Sequence, residues 1–422
     1  MTRPSPALAR RQEAWLALVN RPVSFGLLAL ARAMGDVAWL PGIGQVVNDA
    51  DVARGVLLDG THFNSHGPGS FGQMVTRVLG PRALINMDGP GHLALKRHLV
   101  EVFSPRYVAE VTEAAAGRMV AQLQTELRAG QVVDFAAFMR RYGAAMACAL
   151  VGAQPDPADP DAAYDEIFRL ATDIMSLAGI RRRVLSPAEA ARGRAYAARL
   201  SQMIRAGWEQ ADAPGQSVTQ VLRARRLAFE DVEGLVAVVL VGATELITYG
   251  LPRILAVLVD SGALPWIAAD PPLLEQAIDE GFRIVTPSNA VLRAVTRDCE
   301  VGGHRFRRGG RVLVAFHNIM RQRRHFPNPG HFDLDRAIPP HLRRLPFGAG
   351  PHACLGIGLA LAETRHVLGA LAGLGGHVQI GERRRNRGRI YPGYTRLMIR
   401  MEGGTSQEPA SASTPPASSV QR

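Results

Sequence analysis

The residues able to do chemistry in this 422-residue chain gather around one cysteine. Cys354 sits in Leu345-Pro-Phe-Gly-Ala-Gly-Pro-His-Ala-Cys-Leu-Gly-Ile-Gly358. Gly348 and Gly350 permit a tight turn ahead of it, and residues 355–371 read as a mostly apolar helix. A thiol where a loop enters a helix N-terminus meets unpaired N–H groups and the positive end of the helix dipole, which favour the thiolate. A lone thiolate is a poor zinc site, because zinc takes about four ligands. It suits the axial position on a haem iron, whose in-plane ligands come from the porphyrin. Three other readings compete. One is a buried structural cysteine. Another is a dinucleotide loop, since Gly348-x-Gly350-x-x-Ala353 matches that pattern, but the proline-bearing residues 339–346 are no buried strand. The third is a phosphate loop, for which the Gly-Lys-Ser/Thr ending is missing.

Phe347-Gly-x-Gly-x-His352-x-Cys354-x-Gly356 resembles the haem-binding loop of the cytochrome P450 family. The resemblance implies that Cys354 is the iron ligand and that Phe347, His352 and Gly356 belong to the cofactor loop. Glu280-Gly-Phe-Arg283 puts an acid and an arginine on one helix face. It resembles the family's Glu-x-x-Arg, a buried pair behind the loop, and Arg336 in residues 326–336 is similar to the arginine that completes that network. His92-x-x-x-Lys96-Arg97 resembles the family's His-x-x-x-Arg, whose side chains meet the haem propionates. Such carboxylates need cationic partners when half buried. His92 matches; Lys96 replaces a guanidinium fork by a point charge. Arg293 matches the strand arginine that meets the other propionate.

The resemblance weakens at the oxygen site. The family pattern Ala/Gly-Gly-x-Asp/Glu-Thr supplies room for oxygen, then an acid and an alcohol that relay protons. This chain reads Val241-Gly242-Ala243-Thr244-Glu245-Leu246. With Gly242 as the family's glycine, the acid and alcohol positions hold Thr244 and Glu245 in swapped order. With Ala243 there, Glu245 is the acid and Leu246 replaces the alcohol. Gly242, Thr244 and Glu245 are the candidate catalytic residues. A buried carboxylate would have a raised pKa suited to proton transfer.

The elements that must position these residues are read from hydropathy. Hydrophobic residues make up 47% and charged residues 20% of the chain, as in soluble globular proteins. Helical periodicity dominates, with helices expected over 51–59, 91–103, 105–129, 162–180, 187–211, 229–261 and 271–284. Short strands are expected over 292–296, 300–301, 311–315, 378–380 and 397–401. Residues 61–84 read as a loop with little structure of its own. The class is mainly α with small β-sheets. The domain reading is a loosely held segment 1–14, one large domain 15–402 with the cytochrome P450 fold that the resemblance implies, and a disordered Ser/Pro-rich tail 403–422. Residues 235–259 are apolar, but Glu245, Pro252 and Arg253 interrupt them, so a core helix is expected rather than a membrane span. Three cysteines without framework spacing point to a reducing compartment. The expectation is therefore a cytoplasmic, monomeric protein with no membrane partner.

The net charge is +12, yet the arginines occur in scattered short runs and aromatics are only 6%. A nucleic-acid reader gathers charge with aromatics on one element, so no nucleic-acid partner is expected. Part of the basic surface would steer an acidic redox partner. The resemblance implies a haem-thiolate monooxygenase carrying heme b (iron protoporphyrin IX). It would insert one oxygen atom into a small hydrophobic substrate with electrons from NAD(P)H, through ferredoxin and ferredoxin reductase. Residues in 64–84, 168–180, 238–246, 287–292 and 391–394 would line its pocket. A peroxide-driven or atypical coupling or ring-forming enzyme is the alternative, and a non-catalytic haem sensor the second.

Overall fold

The computed structural model describes residues 6–156, 158–177, 184–210, 217–375 and 377–402. Its axis is a 33-residue helix, α11, reached after ten others: α1 (Pro6–Asn20), α2 (Pro22–Met34), α3 (Ala50–Leu58), α4 (Phe71–Leu79), α5 (Gly89–Arg97), α6 (Pro105–Arg128), α7 (Phe135–Val151), α8 (Pro160–Ser176), α9 (Pro187–Glu209), α10 (Val218–Ala224) and α11 (Phe229–Ser261). α11 is apolar around most of its circumference, and such a helix is stable only when covered on all sides. α7, α8, α9 and α1 cover it, with α13 (Leu273–Val285), which follows α12 (Leu264–Ala269). Gly143 of α7 allows the closest crossing: a Cβ there would stand 2.6 Å from Thr248 Oγ1. α14 (Phe316–Ile319), α15 (Pro340–Arg343) and α16 (Ile357–Ala372) complete the helices. α11 and residues Gly350–Ala372 are long and apolar enough to cross a membrane, but α11 runs through the protein interior.

The main sheet joins β1 (Val37–Leu40), β2 (Gly44–Val47), β8 (Arg311–Val314), β5 (Val291–Val295) and β3 (Phe63–Asn64) in that order. β2 and β8 are parallel, and the other pairs are antiparallel. β5 carries Arg293 opposite Val312. A second sheet orders β4 (Val133–Asp134), β10 (Tyr394–Met401) and β9 (Val378–Arg385), and β6 (Cys299–Val301) pairs with β7 (His304–Phe306).

Two expectations need correction. Residues 6–14 are not loosely held: they open α1, which buries Ala9 and Leu16 and pairs Glu13 with Arg253 of α11 at 2.6 Å. Residues 61–84 contain β3 and α4. Ser70 caps α4 by accepting the Gln73 N–H, and Met74, Val75, Val78 and Leu79 bury its inner face. The glycine-rich stretch before Ser70 masks that period. The 403–422 tail and the basic turn 181–183 lie outside the described residues.

Candidate active site

The cysteine loop is built by backbone constraint. Gly348 and Gly350 take φ of 81° and 65°, and a Cβ on Gly350 would meet Leu57 O at 2.7 Å. Positive φ is costly for residues with a Cβ. The Cys354 N–H donates to Phe347 O at 2.9 Å, closing the turn. Gly356 is the N-cap of α16, two residues past the thiol. The thiol is open to an interior cavity. Burial among protein atoms pushes its pKa up, against the Gly356 N–H and the Lys96 ammonium, which pull it down. The helix terminus alone therefore does not make the free thiol acidic.

Behind this loop lies a closed polar network. Arg283 donates to both Glu280 oxygens at 2.6 and 2.7 Å and to the carbonyls of Met320, Pro329 and His331. Arg336 Nε and the Asp333 N–H also donate to Glu280 Oε1. Phe282 of α13 packs against Phe347 with ring centroids 5.2 Å apart.

One face of the cavity gathers lysine, arginine and histidine side chains. Lys96 Nζ donates to Pro351 O and Ala353 O, both at 2.7 Å. Arg293 is buried, and its guanidinium bonds Leu292 O. The His92 and His352 rings stack at 4.5 Å. His92 Nδ1 is buried without a partner among the described residues. Burial and the neighbouring His352 and Lys96 charges push His92 down to about 4. Asp88, which sequence reasoning missed, is the hub here. His352 Nε2 lies 2.8 Å from its Oδ1, His66 Nδ1 lies 2.6 Å from its Oδ2, and the Ser65 N–H and hydroxyl donate to Oδ2. Burial opposes ionisation of Asp88, but these partners outweigh it and hold the carboxyl well below the usual range. Asp88 precedes a helix, so its type and place suggest an N-cap; its side chain makes no cap bond.

The cavity has a volume of about 470 Å³. Gly242, His92, Lys96, Arg293, Phe347, His352, Cys354 and Gly356 all line it. Thr244 and Glu245 are not among its lining residues. α11 turns Gly242, Ala243, Leu246 and Ile247 toward the cavity. Thr244 is fully buried, and its hydroxyl donates to Leu240 O at 2.8 Å within the helix. Both Glu245 oxygens are buried without hydrogen-bond partners among the described residues. Burial pushes the Glu245 carboxyl well up; Arg389 and the nearby Thr172 oppose that shift. A second, apolar chamber of about 200 Å³ shares Phe71, Ile85, Val238, Gly242, Leu246 and Tyr391 with the first. Each stretch expected to line the pocket contributes to one chamber or the other. Residues 178–180, the end of one such stretch, lie outside the described residues. Sequence reasoning missed α2, whose Ser24, Phe25 and Leu28 form part of the wall, and Glu363 of α16, which is buried with Oε1 unpartnered.

Residues 268–371 match the family described as Cytochrome P450. The chain is 22% identical to the versatile cytochrome P450 enzyme CYP109B1 from Bacillus subtilis, with a TM-score of 0.72 over 89% of this chain and 99% of that one. It is 20% identical to CYP109E1 from Bacillus megaterium in complex with testosterone, with a TM-score of 0.73 over 90% and 97% of the two chains. The chain belongs to the cytochrome P450 family. Among sequence relatives, it is 28% identical to the putative cytochrome P450 YjiB of Bacillus subtilis (strain 168), over 40% of this chain and 44% of that protein. It is 27% identical to the 20-oxo-5-O-mycaminosyltylactone 23-monooxygenase of Streptomyces fradiae, over 69% and 66%. The aligned regions thus span less than two thirds of these two relatives.

The residues present fit the haem iron that the P450 family implies. One thiol faces a cavity whose rim holds a buried arginine, a lysine and an orphaned imidazole nitrogen. Among the described residues, no three His, Cys, Asp or Glu side chains group as a metal cage. An iron here would need in-plane ligands from its own macrocycle.

Proposed function

We propose that this P450 is a haem-thiolate monooxygenase that inserts one oxygen atom from O2 into a hydrophobic or amphipathic small molecule. The observation that carries this reading is the Cys354 thiol facing α11 across a mainly apolar cavity with a cationic rim. Cys354 would hold the iron of heme b, and Lys96, Arg293, His92 and His352 its propionates. The bound haem would supply the oxidising chemistry, with the cysteine sulfur donating electron density that favours O–O cleavage. Leu359, Ala360 and Phe347 line the cavity on the cysteine side and would keep water from the sulfur. Gly242 leaves open space: a Cβ there would meet nothing within 4 Å. Glu245, whose carboxyl burial pushes well up, would stand one layer behind the wall as proton donor, while Thr244 stays engaged with the helix backbone. Electrons would come from NAD(P)H through ferredoxin and its reductase, in the cytoplasm.

The substrate class follows from the lining away from the basic rim, which is mainly apolar in both chambers, with Ser24, Ser288 and Asn289 among its polar points. Solved relatives were captured with testosterone and with erythromycin B, which supports an apolar or amphipathic ligand. Leu246 on the wall, in the register that makes Glu245 the acid, favours a second reading in which peroxide is the oxidant.

The test is the reduced, CO-bound absorption spectrum. A thiolate-type Soret band is expected for the wild type, Cys148→Ala and Cys299→Ala, and its loss for Cys354→Ala. An unchanged band in Cys354→Ala would sink the assignment. Turnover with NAD(P)H and partners, compared with turnover on peroxide, separates the two readings.

A further inference from the structure

Of the twelve large hydrophobic side chains exposed among the described residues, seven fall between positions 8 and 39. They are arranged by helix period. On α1, Leu8, Trp15 and Leu18 lie on one stripe at 100° per residue, while Ala9, Glu13 and Leu16 face the protein. On α2, Val23, Leu30 and Met34 form the outer stripe, while Leu28 and Ala31 are buried. The two helices meet at a bend of 115°. Trp39 on the edge strand β1 is 63% exposed. Single exposed apolar residues are ordinary, but two adjacent outer stripes ending in a tryptophan mark a contact surface.

Charge identifies the occupant. Residues 6–40 hold four arginines and two acids. Both acids are engaged, Glu13 with Arg253 and Asp36 with Arg324. Arg11 and Arg32 are exposed and make no ion pair among the described residues. A second copy would bring like charges together across an isologous contact. Residues 403–422 offer such a face little to bury, with Val420 and three prolines as their only apolar side chains larger than alanine. Helices with one stripe on the protein, one apolar stripe outward and an arginine fringe suit the interface of an anionic bilayer, where tryptophan also prefers to sit.

We propose that α1, α2 and Trp39 dock this protein peripherally on an anionic lipid surface. This departs from the expected lack of a membrane partner, an expectation drawn from the absence of a convincing span. It rests on the surface alone and not on the haem reading. The consequence for function is direct: the inner side of α2 lines the cavity, so docking sets a cavity wall against the lipid that dissolves apolar molecules.

The experiment is co-sedimentation of the full-length, haem-loaded protein with extruded vesicles. Equal parts of phosphatidylglycerol and phosphatidylcholine are compared with phosphatidylcholine alone. Binding to the anionic vesicles, weakened by salt, is expected. Trp15→Glu with Leu30→Glu should weaken it at least tenfold with an unchanged circular dichroism melt. Replacing Arg11 by Gln should weaken it about fivefold. Val132→Glu, exposed elsewhere, should change nothing. The proposal fails if the wild type stays in the supernatant with anionic vesicles, if the double variant binds as well as wild type, or if Val132→Glu binds as weakly as the double variant. A wild-type dimer that the double variant dissolves, without vesicle binding, would assign the face to a second copy and overturn it as well.

Discussion

The two sides of the cavity are held in different ways. On the cysteine side, the polar groups of the loop and its support are tied to partners: Lys96 to two loop carbonyls, Cys354 N–H to Phe347 O, and Glu280 to Arg283, Arg336 and the Asp333 N–H. On the α11 side, Glu245 is buried with neither oxygen bonded, and Thr244 bonds only its own helix. A satisfied network fixes one geometry, whereas an unpaired buried acid holds a protonation state at a cost in stability. The cysteine side thus acts as scaffold and the α11 side as the adjustable part.

The largest expected effect comes from breaking the scaffold. Arg283→Ala leaves Glu280 buried without its main partner, and breaking such a pair costs about 3–5 kcal/mol. Urea denaturation should show this loss together with poor haem retention. An effect under about 1 kcal/mol would mean that the network behaves like a surface pair. Gly350→Ala comes next. It forces a Cβ into a positive-φ position, about 1–2 kcal/mol by backbone strain alone, and against Leu57 O. The same urea denaturation, plus a shifted or broadened Soret band, checks it.

This contrast also explains what could be read without a structure. Glu280 and Arg283 are paired by their three-residue spacing, the resemblance added Arg336, and the three are joined in one network. The long helix 229–261 was legible because its apolar character carries on through Gly242, Gly250 and Pro252. The orientation of α11 was not legible. Gly242 and Ala243 offer two registers one residue apart, and packing against α7 and α8 decides that Leu246, not Thr244, faces the cavity. Asp88 was hidden because its role depends on His352, which is 264 residues away in sequence. α1 and α4 were missed because buried stripes of only four or so residues follow proline- or glycine-rich starts.

Glu245 and His92 contribute to the pH dependence of stability with opposite signs. Burial raises the Glu245 carboxyl well above its usual 4.5, so the folded protein keeps a proton that the unfolded chain releases. Its contribution is full below about pH 4.5 and is lost as pH rises toward the folded value. His92 acts oppositely. Its folded value near 4 lies below the usual 6.5, so stability is lost as pH falls between them. Glu245→Gln should therefore gain stability over wild type progressively as pH rises above about 4.5, in denaturation curves taken at a series of pH values. Parallel curves would show that Glu245 ionises freely in the fold. Glu363, raised by burial too, would leave a residual slope in the variant.

The smallest effect has the opposite direction from the scaffold breaks. Gly242 is mid-helix, and a Cβ there meets nothing within 4 Å. Gly242→Ala should therefore stabilise the fold by about 0.5–1 kcal/mol, the usual helix-interior gain over glycine. The added methyl enters space bordered by both chambers, so the same variant should weaken the spin shift caused by bulky ligands more than that caused by small ones. Gly350→Ala and Gly242→Ala thus form a pair. If both destabilise alike, the α11 side is as tightly determined as the cysteine side, and the distinction between scaffold and adjustable wall disappears.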